Sequence, residues 1–325
     1  MTATDRVAPG SSADAGSHQP DPQDPADVVR PGTRVLLRVF VGLTSLAVVQ
    51  LLFRPGQTAE AFAWHIHSEV TAAFIGAAYA AGTVLSVVAL RQRSWSRVRI
   101  PVLTVTVFTW LTLVATVLHT HRLHLTDGDA LARGAAWLWL AVYLVIPFAC
   151  LAVVCAQGWR RPAAVARRRN LPLWLSALLA VQGAALAAAG AVLFAGGLAV
   201  HHTAEPMTGF WPWDVMPLSA QVIGAWLVAF GIAAALVIRE GDLTRLRGPA
   251  AAYAVFGALQ LLVLARYRAE VSSSDPWLWA YVGVLVTVVV AGGYGWAAAR
   301  RGAAAGADRV PGRSPVEEPS FAPIG

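Results

Sequence analysis

The chain has 325 residues, of which 57% are hydrophobic and only 13% charged, with a mean hydropathy of +0.57. That composition excludes an ordinary soluble domain, in which about a quarter of the residues carry charge, and indicates a polytopic membrane protein whose first partner is the lipid bilayer. The formal charge of +7 does not indicate a nucleic-acid partner, because every basic residue is arginine and most lie in short segments between apolar spans.

In chain order, residues 1–30 are polar and rich in Pro, Asp, Ser and Ala, and are expected to form a disordered cytoplasmic tail. They lack the basic and apolar regions of a removable signal peptide, so the first apolar span is expected to act as an uncleaved anchor. A helix crosses the ~30 Å hydrocarbon layer with ~20 residues. Eight segments meet that requirement: Val35–Phe53, Val70–Leu90, Ile100–Leu118, Ala135–Ala156, Leu173–Val200, Ala220–Ile238, Ala250–Leu264 and Trp279–Ala298. The predicted organisation is a four-helix membrane unit over 31–159, a basic linker over 160–172, a second four-helix unit over 173–301 and a disordered tail over 302–325.

Arginine placement orients these spans. Nineteen of the 25 arginines fall in the two tails with their borders (Arg34, Arg300 and Arg301) and in segments 91–99, 157–172 and 239–249, whereas the alternate segments hold only Arg54, Arg122, Arg133, Arg266 and Arg268. The positive-inside rule then puts both termini in the cytoplasm. Tryptophans such as Trp64, Trp211, Trp213, Trp277 and Trp279 fall where an outer aromatic belt is expected. Cys150 and Cys155 lie five apart in one span, beyond disulfide reach on a helix, and read as small apolar residues.

The chain also repeats itself. Phe62, Trp64 and the run Thr71 to Ala77 are answered by Phe210, Trp213 and the run Ser219 to Ala225. Trp137-Leu138-Trp139 is matched by Trp277-Leu278-Trp279, and Thr58-Ala59-Glu60 by Thr203-Ala204-Glu205. A fixed-offset repeat of this kind predicts a tandem duplication of a four-helix unit about an axis along the membrane normal. The matching Gly76 and Gly224 suggest close backbone contact between the two units. Residues 58–69 are expected to form a short helix at the membrane surface, and Trp64, Trp211 and Trp213 to roof an outer vestibule.

Seven of the eight histidines fall on the predicted outer face: His65, His67, His119, His121, His124, His201 and His202. Imidazoles with nearby carboxylates such as Glu60 and Glu69 are what a divalent metal takes as ligands, so the first five form a candidate metal site. If the third span continues past Leu118, His121 and His124 share a helix face, whereas His65 and His67 share a side only in extended chain. The second copy offers Ala265, Tyr267 and Glu270 opposite the His119 group, so such a site is single. The competing reading is that these are interfacial histidines at helix ends.

No span carries paired acids, and there is no phosphate-binding glycine loop, Gly-x-Ser-x-Gly or His-Glu-x-x-His. Gln50, Gln182, Gln221 and Gln260 need partners inside the membrane and suit interhelical bonding or a substrate path. The segment Phe62-Ala63-Trp64-x-Ile66 followed by Thr71-Ala72-Ala73-Phe74-x-Gly76-Ala77-x-Tyr79 resembles one in uncharacterised multi-pass membrane proteins of actinobacteria. The resemblance supports the architecture and brings no activity or catalytic residue with it, while arginine in place of all lysine, with heavy Ala, Val and Gly usage, indicates a high-GC bacterial genome and so a bacterial plasma-membrane location. The expected function is small-ligand binding or transport at a site between the repeats facing outward. The alternatives are a metal-dependent membrane enzyme or metal-binding protein using the histidines, and a non-catalytic scaffold.

Overall fold

A computed structural model describes residues 27–158, 170–200, 202, 207 and 209–307. Among them run nine α-helices: α1 (Pro31–Leu51), α2 (Thr58–Ala61), α3 (Glu69–Leu90), α4 (Trp95–Leu118), α5 (Ala130–Gln157), α6 (Leu173–Ala199), α7 (Pro217–Glu240), α8 (Arg247–Arg266) and α9 (Pro276–Ala307). All but the one-turn α2 are long and apolar enough to cross a membrane, and the protein is a multi-pass membrane protein. Several helices start before their apolar cores. Pro31, Pro217 and Pro276 each open one, where the missing N–H costs nothing. Pro101, which precedes an apolar run in the sequence and reads there as a helix-start proline, lies inside α4 instead.

The tail boundary also moves. The carboxylate of Asp27 accepts from the Ser96 N–H at 2.8 Å and from the Ser94 hydroxyl, and the Val29 N–H donates to the Arg93 carbonyl at 3.0 Å. Residues 27–30 are thus held against the start of α4. The tail before them, the end of the chain and most of the basic linker lie outside the described residues.

Helices α3 and α7 are the most enclosed and form the centre. Helix α1 packs on α3, α6 on α7, α4 on α5 and α7, α8 on α9 and α3. Only a short turn joins α3 to α4, which predicts adjacent helices, yet the two barely touch. The turn instead delivers α4 to α7. There Arg99 of α4 forms an ion pair with Glu240, which also takes Arg245 at 3.1 Å, while Arg245 reaches Asp242 at 3.3 Å. All four side chains are at most 9% exposed, so this cluster is an internal joint. Counting arginines for orientation gives no hint of it.

Glycine pairs fix the closest approaches. A Cβ on Gly76 would lie 2.5 Å from the Leu52 nitrogen of the segment that follows α1, and one on Gly224 would lie 2.6 Å from the Gly190 carbonyl of α6. Both glycines therefore serve contacts with the preceding long helix, correcting the expectation that they join the two halves. Helix α6 meets α7 through Gly183, Gly190 and Gly197, as its small residues suggest. Its Gly- and Ala-rich sequence points to close packing against neighbours rather than a lipid-facing helix, yet its other face is exposed, with Val181 at 70%. The glutamines bridge elements: Gln50 donates to Ala61 O, Gln182 to the Thr287 hydroxyl, Gln221 to Phe194 O and Gln260 to Phe74 O. Cys150 is buried, Cys155 is exposed, and both are free thiols.

Candidate ligand site at the histidine end

At the end of the bundle opposite the Arg99 cluster, the segment before α3 turns inward. The Ile66 N–H donates to Thr58 Oγ1 at 3.1 Å, and the Thr58 hydroxyl donates back to the Ile66 carbonyl at 3.2 Å. This clasp ends α2 after four residues and folds 62–66 into a loop. Phe62, Ala63, Trp64 and Ile66 are each at most 4% exposed, so the segment is not the surface helix its sequence suggests. Burying four apolar side chains outweighs continuing the helix, since each full burial is worth about 1.5–3 kcal/mol. Residues 65–66 belong to no helix, and the His65 and His67 rings stack 4.2 Å apart.

The second group arrives differently from the expectation. Helix α4 stops at Leu118, and residues 120–122 form a tight turn before the chain extends at Leu123. His121 and His124 therefore do not share a helix face. The His124 N–H donates to the Ala63 carbonyl at 2.9 Å and ties the two loops together. Gly128 holds a positive φ of 78°, and a Cβ there would sit 3.1 Å from His124 Nδ1. The His119 ring is buried with Nδ1 3.1 Å from the Ala115 carbonyl, and it faces His121 with 6.0 Å between centroids.

All five histidines, with Arg122 and Trp64, surround one cavity of about 200 Å³, closed on its far side by Met216, Pro217 and Leu218 at the start of α7. The histidine groups thus come together across α3 and α4 without those helices being neighbours. They ring the cavity rather than converge on a point: among the described residues no three His, Cys, Asp or Glu side chains are placed to hold a metal ion. Asp127 lies in ion-pair range of a ring, 3.9 Å from His124 Nδ1, and is largely exposed. Partial burial, then His67 and His124, lower the pKa of His65 below its usual 6.5. His202 is exposed and outside this ring, and His201 lies outside the described residues.

Of the tryptophans expected over a vestibule, only Trp64 lines the cavity. Trp211 and Trp213 are 8% and 7% exposed and pack with Phe74 and Tyr281 in the core. Two indoles make a reciprocal contact. The Trp64 N–H donates to Ser219 Oγ at 3.4 Å, and the Trp213 N–H donates to Thr71 Oγ1 at 2.8 Å. Each reaches from its own loop to the first turn of the other central helix. Trp137, Trp277 and Trp279 are at least half exposed and suit a membrane-surface position.

Sequence reading missed Arg122 as a wall of this cavity, although it stands between His121 and His124. It also missed Met216 to Leu218, whose only signal was their position just before the second repeat motif. In comparisons with known proteins, no family model, curated protein or solved structure matches this chain.

Proposed function

We propose that this multi-pass membrane protein binds a small anionic molecule, of the carboxylate or phosphate class, in the histidine-lined cavity between its two halves. The observation that carries this reading is the lining: five imidazoles and the Arg122 guanidinium, with no carboxylate among the described wall residues. Imidazole N–H groups and a guanidinium are donors suited to an oxyanion. A cavity of about 200 Å³ suits a molecule of a few heavy atoms. Binding is favoured over passage because Trp64 at the cavity wall is backed by Phe62 and Trp139, with ring centroids 4.7 and 4.8 Å away.

The same proposal places the cavity on the outer side of a bacterial plasma membrane, with the arginine-rich ends and both termini cytoplasmic. It also treats the protein as two fused four-helix units. Matched packing supports the duplication: α1 on α3 parallels α6 on α7, α4 on α5 parallels α8 on α9, and α4 on α7 parallels α8 on α3. The exchanged indole bonds follow the same rule.

Thermal unfolding of the purified protein with inorganic phosphate, succinate and acetate tests the ligand class. A ligand bound only to the folded form stabilises it by RT ln(1 + [L]/Kd), so the midpoint rises with concentration. We expect at least one anion to raise it, and Arg122→Gln and His121→Ala to weaken that response about tenfold or more. No response to any of the three anions overturns the reading, as does an equal response in both variants. One equivalent of tightly held divalent metal in chelator-free protein would put the metal reading in its place.

A further inference from the structure

We infer a second site, separate from the histidine cavity, that takes a lipid-soluble molecule from the bilayer. Helices α1, α3, α4 and α5 enclose a cavity of about 320 Å³, with Trp226 of α7 closing its back. Packed interiors seldom hold spaces beyond a few waters, so an apolar space of this size, open to the side of the bundle, calls for an occupant. Its walls are almost wholly apolar, including Phe62, Phe108 and Trp139.

The mouth tells where the occupant comes from. Leu46 of α1 and Leu131 and Leu138 of α5 line the opening and are 44%, 62% and 43% exposed. Helices α1 and α5 touch little, leaving a lateral gap between two apolar spans. Trp137, beside Leu138 on the same helix, suits the membrane surface, so the opening runs from the headgroup level toward the hydrocarbon, and what enters is a lipid chain or a lipid-soluble ring.

Among the polar side chains on the wall, which include Thr44, Gln50, Ser86 and Thr109, two tyrosines form a buried pair. The hydroxyls of Tyr79 and Tyr143 are 2.7 Å apart, and both side chains are buried. Hydroxyls joined end to end make one bond fewer than the hydrogens they carry, so one O–H is left over. At the Tyr79 end, on the cavity wall, it would find an acceptor in a bound oxygen. The ligand chemistry is therefore an apolar body with a carbonyl, carboxyl or ether oxygen. An acyl lipid and an isoprenoid quinone both have it.

Photolabelling in native membranes tests this with two probes, a diazirine-bearing palmitate and an azido isoprenoid quinone. Gly134 supplies the control: it lines the cavity, and a Cβ added there meets nothing within 4 Å. Gly134→Trp should fill the space while leaving the unfolding midpoint unchanged. We expect at least one probe to label peptides covering 40–50 and 130–146, about tenfold less in Gly134→Trp and several-fold less in Tyr143→Phe. The more efficient probe identifies the source. Labelling spread over all lipid-facing helices, or unchanged in a stably folded Gly134→Trp protein, overturns the site. None of these readings depends on anion binding at the histidine cavity.

Discussion

His65 carries the clearest electrostatic signature of the histidine cavity, because partial burial and the adjacent His67 and His124 favour its neutral ring. Its folded pKa lies below 6.5, so as pH falls the unfolded chain takes up its proton first. The stability due to the neutral ring is complete above about pH 6.5 and is lost as pH falls through the folded pKa. The thermal midpoint should therefore drop between pH 7 and pH 5, and His65→Gln should flatten part of that drop. The effect is modest, since the ring is exposed and water screens it. An identical pH profile in the variant would show that the neighbouring imidazoles carry no such coupling. The histidines were legible in the sequence because each group borders an apolar span on the same side of the membrane. Arg122 and the α7 residues were not, because a cavity wall depends on which helix stands beside which.

At the scale of the helices, the α6–α7 contact is where side-chain volume matters most. A Cβ on Gly190 would lie 2.7 Å from the Gly224 carbonyl and 2.8 Å from the Val228 nitrogen, both backbone atoms that cannot turn aside. Gly190→Ala should therefore separate the helices and destabilise the protein by about 1–3 kcal/mol, the usual range for overpacking. Gly134→Ala, at a position open to its surroundings, should instead be neutral or stabilising by up to about 1 kcal/mol. Denaturant titration in mixed micelles compares the two, and equal effects would mean the α6–α7 contact is looser than described. The abundance of Gly and Ala announced a close helix contact in the sequence. It did not say which face of α6 made it, because a helix that is apolar all round offers no polar stripe to mark its lipid side.

For the molecule as a whole, the eight spans were plain from hydropathy, and the segment lengths between them left little freedom. The order of packing was hidden, since lipid and protein interior select the same residue types and a short turn need not join neighbours. The duplicated motif was the one clue to long-range contact. Orientation rests on the arginine distribution and can be measured in a protein whose Cys150 and Cys155 are replaced. Single cysteines at Gln92 and Asn170 should react with a membrane-impermeant maleimide only after the membrane is opened. Those at Asp127 and Ser273 should react in intact cells. Labelling of position 170 from outside would reverse the assignment.

The exchanged indole bonds have a consequence in time. Trp64 and Ser219 are 155 residues apart, and Thr71 and Trp213 are 142 apart. At synthesis rates of about 5–20 residues per second, the first half waits roughly 7–30 s for its partners to leave the ribosome. Through that interval the Trp64 N–H and the Thr71 hydroxyl have no protein partner from the second half. A tryptophan at the membrane surface is comfortable there, its ring in the headgroup layer and its N–H on water. The 62–66 loop, bent within the first half by the Thr58–Ile66 clasp and the His124–Ala63 bond, is then locked only when α7 has been made and inserted, and the histidine cavity, which needs Met216 to Leu218 as its far wall, closes with it.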